Sequence, residues 1–128
     1  MTLEILPQTY RSVQEDGKLS EPARSVVERL DTPLFLSAVS AFEIANKHRL
    51  GKLPGYSYVV DNYHLIARKL EAAELPISAA HAHFAAKLDW GRQDPFDRIL
   101  AAQAHLESLV LITPDSVFSS LPWISVLW

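Results

Sequence analysis

The stretch DPFDRILAAQAHLESLVLITPD, residues 94–115, decides how this chain folds. Its alanine-rich first half predicts a helix, because Asp94 is a good N-cap and proline is tolerated at the first helical position. Its second half contains Leu109–Thr113, an apolar run rich in β-branched residues that is typical of a buried strand. A helix that leads directly into a buried strand is the repeating unit of an α/β domain. The stretch also raises a functional question, because its helix begins with two aspartates, Asp94 and Asp97.

The same alternation of helices and strands runs through the rest of the chain. Short apolar runs predict further strands at Leu3–Leu6, Leu34–Leu36 and Ile124–Leu127. Amphipathic or capped segments predict helices at Ser20–Leu30, Ser37–Leu50, Tyr58–Ala73, Ser78–Leu88 and Asp115–Leu121. Leu75–Ile77 is either a short strand or a connector. The predicted fold is therefore an α/β domain with a mainly parallel central sheet.

The composition narrows the class of protein. With 128 residues, 48% of them hydrophobic, residues 1–128 are expected to form one packed domain. The chain has no cysteine, which excludes disulfides and cysteine-bound zinc and is consistent with a reducing, cytoplasmic location. We see no signal peptide and no apolar stretch long enough to span a membrane, so no membrane partner is expected. A net charge of −3 argues against a strongly basic nucleic-acid binder, although not against an enzyme that meets nucleic acid through a metal ion.

Carboxylates follow the predicted strands at positions where a parallel sheet gathers its ligands. Glu43 lies in the first turns of the helix after Leu34–Leu36, and Asp115 comes just after Leu109–Thr113. Asp97 begins the helix that leads into the latter strand. Ligands of open parallel sheets bind beyond the carboxyl ends of the strands, so three segments can deliver acids to one edge. Oxygen-rich clusters suit Mg²⁺ or Mn²⁺, which can activate water for phosphoryl displacement.

Each acid also has a purely structural explanation. Asp94 and Asp97 both suit the start of a helix, the first as N-cap and the second through its interaction with the helix dipole. Glu43 lies four residues before Lys47, so a surface ion pair explains it. Asp115 can cap the short helix that follows it. From the residues alone, the metal site and the set of caps and ion pairs both remain open.

Basic residues near these acids are the candidates for RNA contact. A solvated helix end explains most of them equally well, and contact with phosphate is the sharper hypothesis. The candidates are Lys47, Arg49, Lys52 and Arg98. His81 and His83 are interpreted as packing or surface residues. No glycine-rich phosphate loop, no H-E-x-x-H and no G-x-S-x-G motif occurs in the sequence.

In order and spacing, three segments resemble the PIN-domain toxins of the VapC type. LFLSAVSAFEIANKHRLGKL, residues 34–53, is similar to the second acidic motif of that family. DPFDRILAAQAHLESLVLITPDSVF, residues 94–118, is similar to its third and fourth motifs, and KLSEPARSVV, residues 18–27, to the helix after its first strand. The likeness covers most of the chain from about Lys18 onward.

The resemblance implies a three-layer α/β/α PIN-like fold and a divalent-metal-dependent endoribonuclease. It also implies a VapB-like antitoxin that blocks the site, an RNA substrate and a homodimer. By position, Glu43, Asp97 and Asp115 match the catalytic, metal-binding acids of the family. Asp94 matches an acid that is frequent but not usually a ligand, and Thr113 matches a hydroxyl residue that often lines the site. The resemblance thus assigns Asp97 to the metal and Asp94 mainly to the cap.

The N-terminus departs from the family pattern, in which the first strand ends in an aspartate. Counting back from Leu19 places the missing acid near Ile5, next to Glu4, whereas local pattern places Gln8 there. Loss of one carboxylate should weaken metal binding and reduce or abolish cleavage. A second hypothesis is therefore a degenerate PIN domain that binds RNA or a partner protein without cutting. A third is an α/β domain whose acids are only caps and ion pairs.

Overall fold

A computed structural model describes the backbone of residues 2–5, the single residue 25, and residues 33–113 and 115–128. Its strands are β1 Thr2–Ile5, β2 Leu34–Ser37, β3 Ala72–Leu75, β4 Leu109–Ile112 and β5 Ser125–Leu127. Its helices are α1 Ala38–Arg49, α2 Ser57–Asp61, α3 Tyr63–Lys69, α4 Ala79–Lys87 and α5 Pro95–Leu106, with a 3₁₀ helix at Ser116–Ser120. Of the helix predicted at Ser20–Leu30, only Ser25 is described, and it is helical.

The five strands form one sheet in the order β3-β2-β1-β4-β5, and each pair is parallel. Ile5 of β1 lies in register with Leu36 of β2 and with Ile112 of β4. The chain runs outward from β1 through β2 to β3 and then crosses to β4 and β5 on the other side. A crevice is expected where the chain changes direction, outside the carboxyl ends of β1 and β4.

Hydrophobic side chains cover both faces of this sheet. Leu36 and Ile112 pack with Ile66 of α3 on one face. Leu111 packs with Leu100 of α5 and with Phe118 of the 3₁₀ helix on the other. The alternation along β4 follows from the strand period of two, which sends successive side chains to opposite faces. The three-layer α/β/α architecture predicted by resemblance is thereby confirmed.

Helix α5 is built to lie close to the sheet. Ala101 and Ala102 are 0% exposed, and Ala104 is 2% exposed. At the end of β2, the Ser37 hydroxyl donates a hydrogen bond of 2.6 Å to Oε1 of the buried Gln103 and accepts one from the Val39 amide. This buried bond ties the carboxyl edge of β2 to α5, the helix that carries Asp97.

The predicted helix Tyr58–Ala73 is wrong in its extent. It is interrupted at Asn62, whose side chain donates a hydrogen bond to the Tyr58 carbonyl, and it ends at Lys69. Glu71 has a left-handed backbone, with φ of 55°, where the chain turns into β3. Alanine-rich β3 has weak strand propensity, and its register with β2 comes from the sheet rather than from its own sequence. The strand-or-connector predicted at Leu75–Ile77 begins earlier and ends at Leu75.

Candidate active site

The predicted acids lie around one pocket of about 270 Å³ at the carboxyl edge of the sheet. Glu43 comes from α1, which follows β2, and Asp97 comes from the first turn of α5. Asp115 caps the 3₁₀ helix after β4. The full lining consists of Glu43, Asn46, Lys47, Leu50, Lys52, Arg92, Asp94, Phe96, Asp97 and Asp115. Three segments far apart in sequence thus meet where the strand-end rule predicts a ligand site.

Asp97 is buried and forms an ion pair with a residue that the sequence did not single out. The Arg92 Nε donates a hydrogen bond of 2.7 Å to Oδ2 of Asp97, whose residue exposure is 7%. Burial raises the pKa of the Asp97 carboxyl, Arg92 opposes that shift, and Asp94 and Asp115 add to it. Among the described residues, no hydrogen bond occupies Oδ1 of Asp97. One oxygen of this carboxylate is therefore available to a cation in the pocket.

Glu43 lies on the neighbouring wall of the pocket. Its Oε2 is 3.8 Å from Nζ of Lys47, the i,i+4 pair that the sequence predicts. Burial raises the pKa of Glu43, Lys47 lowers it, and the charges of Asp97 and Asp94 raise it further. Burial, and to a lesser degree the neighbouring acids, raises the pKa of both Glu43 and Asp97. Such a site favours a cation, since a positive ion relieves both the desolvation and the repulsion.

Asp94 and Asp115 both act as helix caps in this structure. Oδ1 of Asp94 accepts a hydrogen bond of 2.9 Å from the Phe96 amide, and Oδ1 of Asp115 accepts one of 3.0 Å from the Val117 amide. The Thr113 hydroxyl accepts a bond of 3.0 Å from the Asp115 amide. Thr113 is buried and shapes the turn that presents Asp115. Each cap uses one carboxylate oxygen and leaves the charge of the residue on the pocket wall.

The candidate RNA contacts separate into two groups. Lys47 and Lys52 line the pocket. Arg49 does not, because its Nη2 donates to Oδ1 of Asn46 on the exposed end of α1. Arg98 donates to four backbone carbonyls and is committed to the loop between α4 and α5.

Sequence reasoning missed two polar residues of the pocket, Arg92 and Asn46. Asn46 was detectable, since it lies one helical turn after Glu43 and shares its face. Arg92 had no signal of this kind, because it lies in a loop whose path no periodicity predicts.

Of the two candidate positions for the missing first-strand acid, the structure describes one. Glu4 lies within β1, in register with Phe35 and Leu111. Gln8 lies outside the described residues. Across residues 2–5, 33–113 and 115–128, no three His, Cys, Asp or Glu side chains form a group close enough to hold a metal ion. The acids share a pocket, but they do not surround one point.

The donor set nevertheless fits a hydrated divalent cation. Mg²⁺ keeps several waters and is usually held by only one or two carboxylates, and it prefers hard oxygen ligands. The pocket offers carboxylate oxygens at Asp97, Glu43 and Asp115 and an amide at Asn46.

Within the described part of the chain, no helix is both long and apolar enough to cross a membrane.

The fold and this pocket define a class of protein that sequence comparison identifies directly. The PIN domain family model matches residues 12–124. Because that match spans most of the chain, the protein belongs to the PIN domain family, as the resemblance predicted.

Individual relatives extend the comparison. The Ribonuclease VapC16 of Mycobacterium tuberculosis is 36% identical over 88 residues, which are 66% of this chain and 57% of that protein. The match thus spans little more than half of the length of that relative.

Two solved structures have the same fold. The toxin-antitoxin complex from Klebsiella pneumoniae has a TM-score of 0.70 at 17% identity, over 98% of this chain and 96% of that one. The VapBC-1 structure from nontypeable Haemophilus influenzae has a TM-score of 0.70 at 16% identity, over 99% and 97%. These likenesses confirm the predicted fold.

Proposed function

We propose that this protein is a VapC-type toxin, a divalent-metal-dependent endoribonuclease that cleaves RNA phosphodiesters. The observation that carries the proposal is the convergence of Glu43, Asp97 and Asp115 on one pocket in a PIN domain. The name of its relative, a ribonuclease, supports the same activity. We propose further that residues 1–128 form a single PIN domain located in the cytoplasm.

In this proposal Glu43, Asp97 and Asp115 would hold Mg²⁺ or Mn²⁺. When bound, such an ion lowers the pKa of a coordinated water and stabilises the charge of an in-line displacement. The protein's own groups orient the site: Arg92 fixes one oxygen of Asp97, and Thr113 shapes the turn that carries Asp115. Lys47 and Lys52 supply positive charge on the wall that RNA would approach.

The partners follow from the same assignment. We propose that a VapB-like antitoxin neutralises the toxin and that the toxin forms a homodimer. Structural neighbours described as toxin-antitoxin complexes support the antitoxin. Light scattering on the purified chain, alone and mixed with a candidate VapB-like antitoxin, tests both proposals by mass.

The decisive experiment is RNA cleavage by the purified chain in Mg²⁺, in Mn²⁺ and in EDTA, beside Asp115→Asn. The control is Asp61→Asn, the same chemical change at an exposed position of α2 outside the pocket lining. We expect cleavage by the parent and by the control, little by Asp115→Asn and none in EDTA. Equal cleavage by all three proteins in EDTA would contradict the proposal.

A second function is favoured by the incomplete acid set. No three described carboxylates form a metal-binding group, and the first strand of this chain carries no aspartate at the family position. The alternative is a degenerate PIN domain that binds RNA or a partner without cutting it. Gln8→Asp separates the two functions. If the unmodified protein does not cleave RNA and the Gln8→Asp variant cleaves it in the presence of metal, the site is intact and lacks only one carboxylate.

A further inference from the structure

One arginine side chain binds the loop between α4 and α5 at several points. Arg98 lies in the first turns of α5, and its Nε and Nη1 donate hydrogen bonds of 2.9 to 3.0 Å. The acceptors are the backbone carbonyls of Ala85, Leu88, Trp90 and Arg92. One guanidinium therefore fixes four points along the segment that carries Arg92 to the pocket.

The same loop is anchored on its other side. The Trp90 Nε1 donates a hydrogen bond of 2.9 Å to the Ser120 hydroxyl. The centroid of its ring lies 5.8 Å from that of Phe118, a residue of the 3₁₀ helix whose side chain is buried in the core. Since Asp115 caps that helix, the loop and the pocket wall share one support.

The Arg92 guanidinium is only partly used by the protein. Its Nε donates to Oδ2 of Asp97, and its side chain is 43% exposed. Among the described residues, no hydrogen bond engages its two terminal nitrogens. A guanidinium held at Nε presents its Nη1 and Nη2 donors as a planar fork, which matches two oxygens of a phosphate.

The charges of the pocket explain why an anion would bind there. Four carboxylates face three cationic side chains around the lining, and one of those cations, Lys47, is paired with Glu43. The apo pocket therefore has a slight excess of negative charge. One divalent cation reverses that excess, and the exposed Arg92 is then the best-placed donor for an anion.

We propose that Arg92 binds two non-bridging oxygens of an RNA phosphate at this pocket through Nη1 and Nη2, while Nε stays on Asp97. The proposal rests on the proposed ribonuclease function and adds the residue that recognises the RNA backbone. Arg92 is then a phosphate-binding residue, and Arg98 is the positioning residue that holds its loop.

The test compares Arg92→Gln and Arg92→Lys with the matched control Arg68→Gln, an exposed arginine of α3 outside the pocket lining. The probe is a fluorescein-labelled single-stranded RNA of mixed sequence. Its anisotropy is followed in Ca²⁺ over a series of salt concentrations, with the same series in EDTA for comparison. For Arg92→Gln we expect about tenfold weaker binding and a loss of about 0.7 from the slope of log affinity against log salt, one phosphate contact on a single strand. Arg92→Lys should keep the slope and recover only part of the affinity, since lysine is a point charge without the fork.

Binding of Mn²⁺, followed through the rise in melting temperature, separates phosphate recognition from a merely structural role. If Arg92 binds phosphate, the Arg92→Gln variant should bind Mn²⁺ at least as tightly as the unmodified protein, because the substitution removes a positive charge that repels the ion. Parallel loss of Mn²⁺ and RNA binding would show that Arg92 only supports Asp97, and would overturn the inference. RNA binding by the parent with no difference between Arg92→Gln and Arg68→Gln would overturn the inference alone. A parent that neither binds nor cleaves RNA would overturn the proposed function as well.

Discussion

Two neighbouring helices, α4 and α5, begin with the same local arrangement and use it differently. At the start of α4, Ser78 caps the helix, and His81, three residues later, turns back so that its Nδ1 accepts a hydrogen bond from the Ser78 amide. At the start of α5, Asp94 caps the helix, and Asp97 occupies the equivalent third position.

The third residue is where the two helix starts diverge. His81 completes a capping box, and its Nε2 lies 2.9 Å from Oε1 of Glu107, so the ring is built into the structure. Asp97 does not turn back; its carboxylate faces the pocket and binds Arg92. The carboxylate of Asp94 is thus used by its own helix, whereas that of Asp97 is not and lies in the proposed metal site.

The largest expected effect comes from Asp97→Asn. Removing the charge that would hold the metal ion should lower metal-dependent RNA cleavage by at least about 100-fold, as loss of a principal electrostatic stabiliser does. The melting temperature in EDTA should stay the same or rise, because a buried and repelled carboxylate is replaced by a neutral group. Cleavage assays and thermal denaturation measure the two effects. A matching fall in both would make Asp97 a structural residue like His81.

The second effect comes from His81→Ala and falls on stability. The change removes a ring that is 2% exposed together with its bonds to Ser78 and Glu107, so we expect a loss of about 2–4 kcal/mol in the free energy of unfolding. His83→Ala, an exposed position on the same helix, is the control and should stay within about 0.5 kcal/mol. Urea denaturation gives both values. Equal effects of the two changes would show that the capping box contributes nothing.

The third effect is the loss of stability when the N-cap residue of α5 or of α4 is replaced. Asp94→Ala should cost about 1 kcal/mol, and Asp94→Ser should recover most of that loss because a serine hydroxyl also accepts the bond from the Phe96 amide. Ser78→Ala at α4 should cost a similar amount. If Asp94→Ser is as unstable as Asp94→Ala in urea, the charge of Asp94, rather than its cap, stabilises α5.

The smallest effect is a pH dependence of stability that comes from Glu43. Burial raises the pKa of Glu43 above its ordinary value of 4.5, so the folded chain holds this proton more tightly than the unfolded chain. Stability in EDTA should therefore fall as the pH rises from about 4.5 through the raised pKa. Glu43→Gln cannot ionise and should gain stability relative to the parent over that window, while the two proteins converge at lower pH. Unfolding curves from pH 4 to 8 would contradict this if the difference between the proteins stayed constant.

Much of this arrangement could be predicted from sequence because it rests on local rules. The strand-end positions of Glu43 and Asp115, the cap at Asp94 and the buried strand around Leu111 follow from patterns of a few residues. The family resemblance then supplied their order around the sheet.

The rest depends on contacts between distant parts of the chain. The alanine-rich β3 is set by its pairing with β2, which overrides its propensity for helix. Arg92 reaches Asp97 from a loop whose backbone carbonyls, including that of Arg92 itself, are bound by Arg98. The sequence also gives no sign that Arg98 lies outside the pocket lining, because its charge alone suggests contact with RNA.

The central position of β1 has a consequence for how the protein forms. This strand lies between β2 and β4, so among the described strands the half-sheets β3-β2 and β4-β5 are hydrogen-bonded to each other only through it. The partner of Ile5 on β4 is Ile112, nearly a whole chain length away, and pairs so distant in sequence form slowly. During synthesis, the first strand must wait for β4 to leave the ribosome before the sheet can close. We therefore expect the acidic pocket to be completed only after β4 has paired with β1.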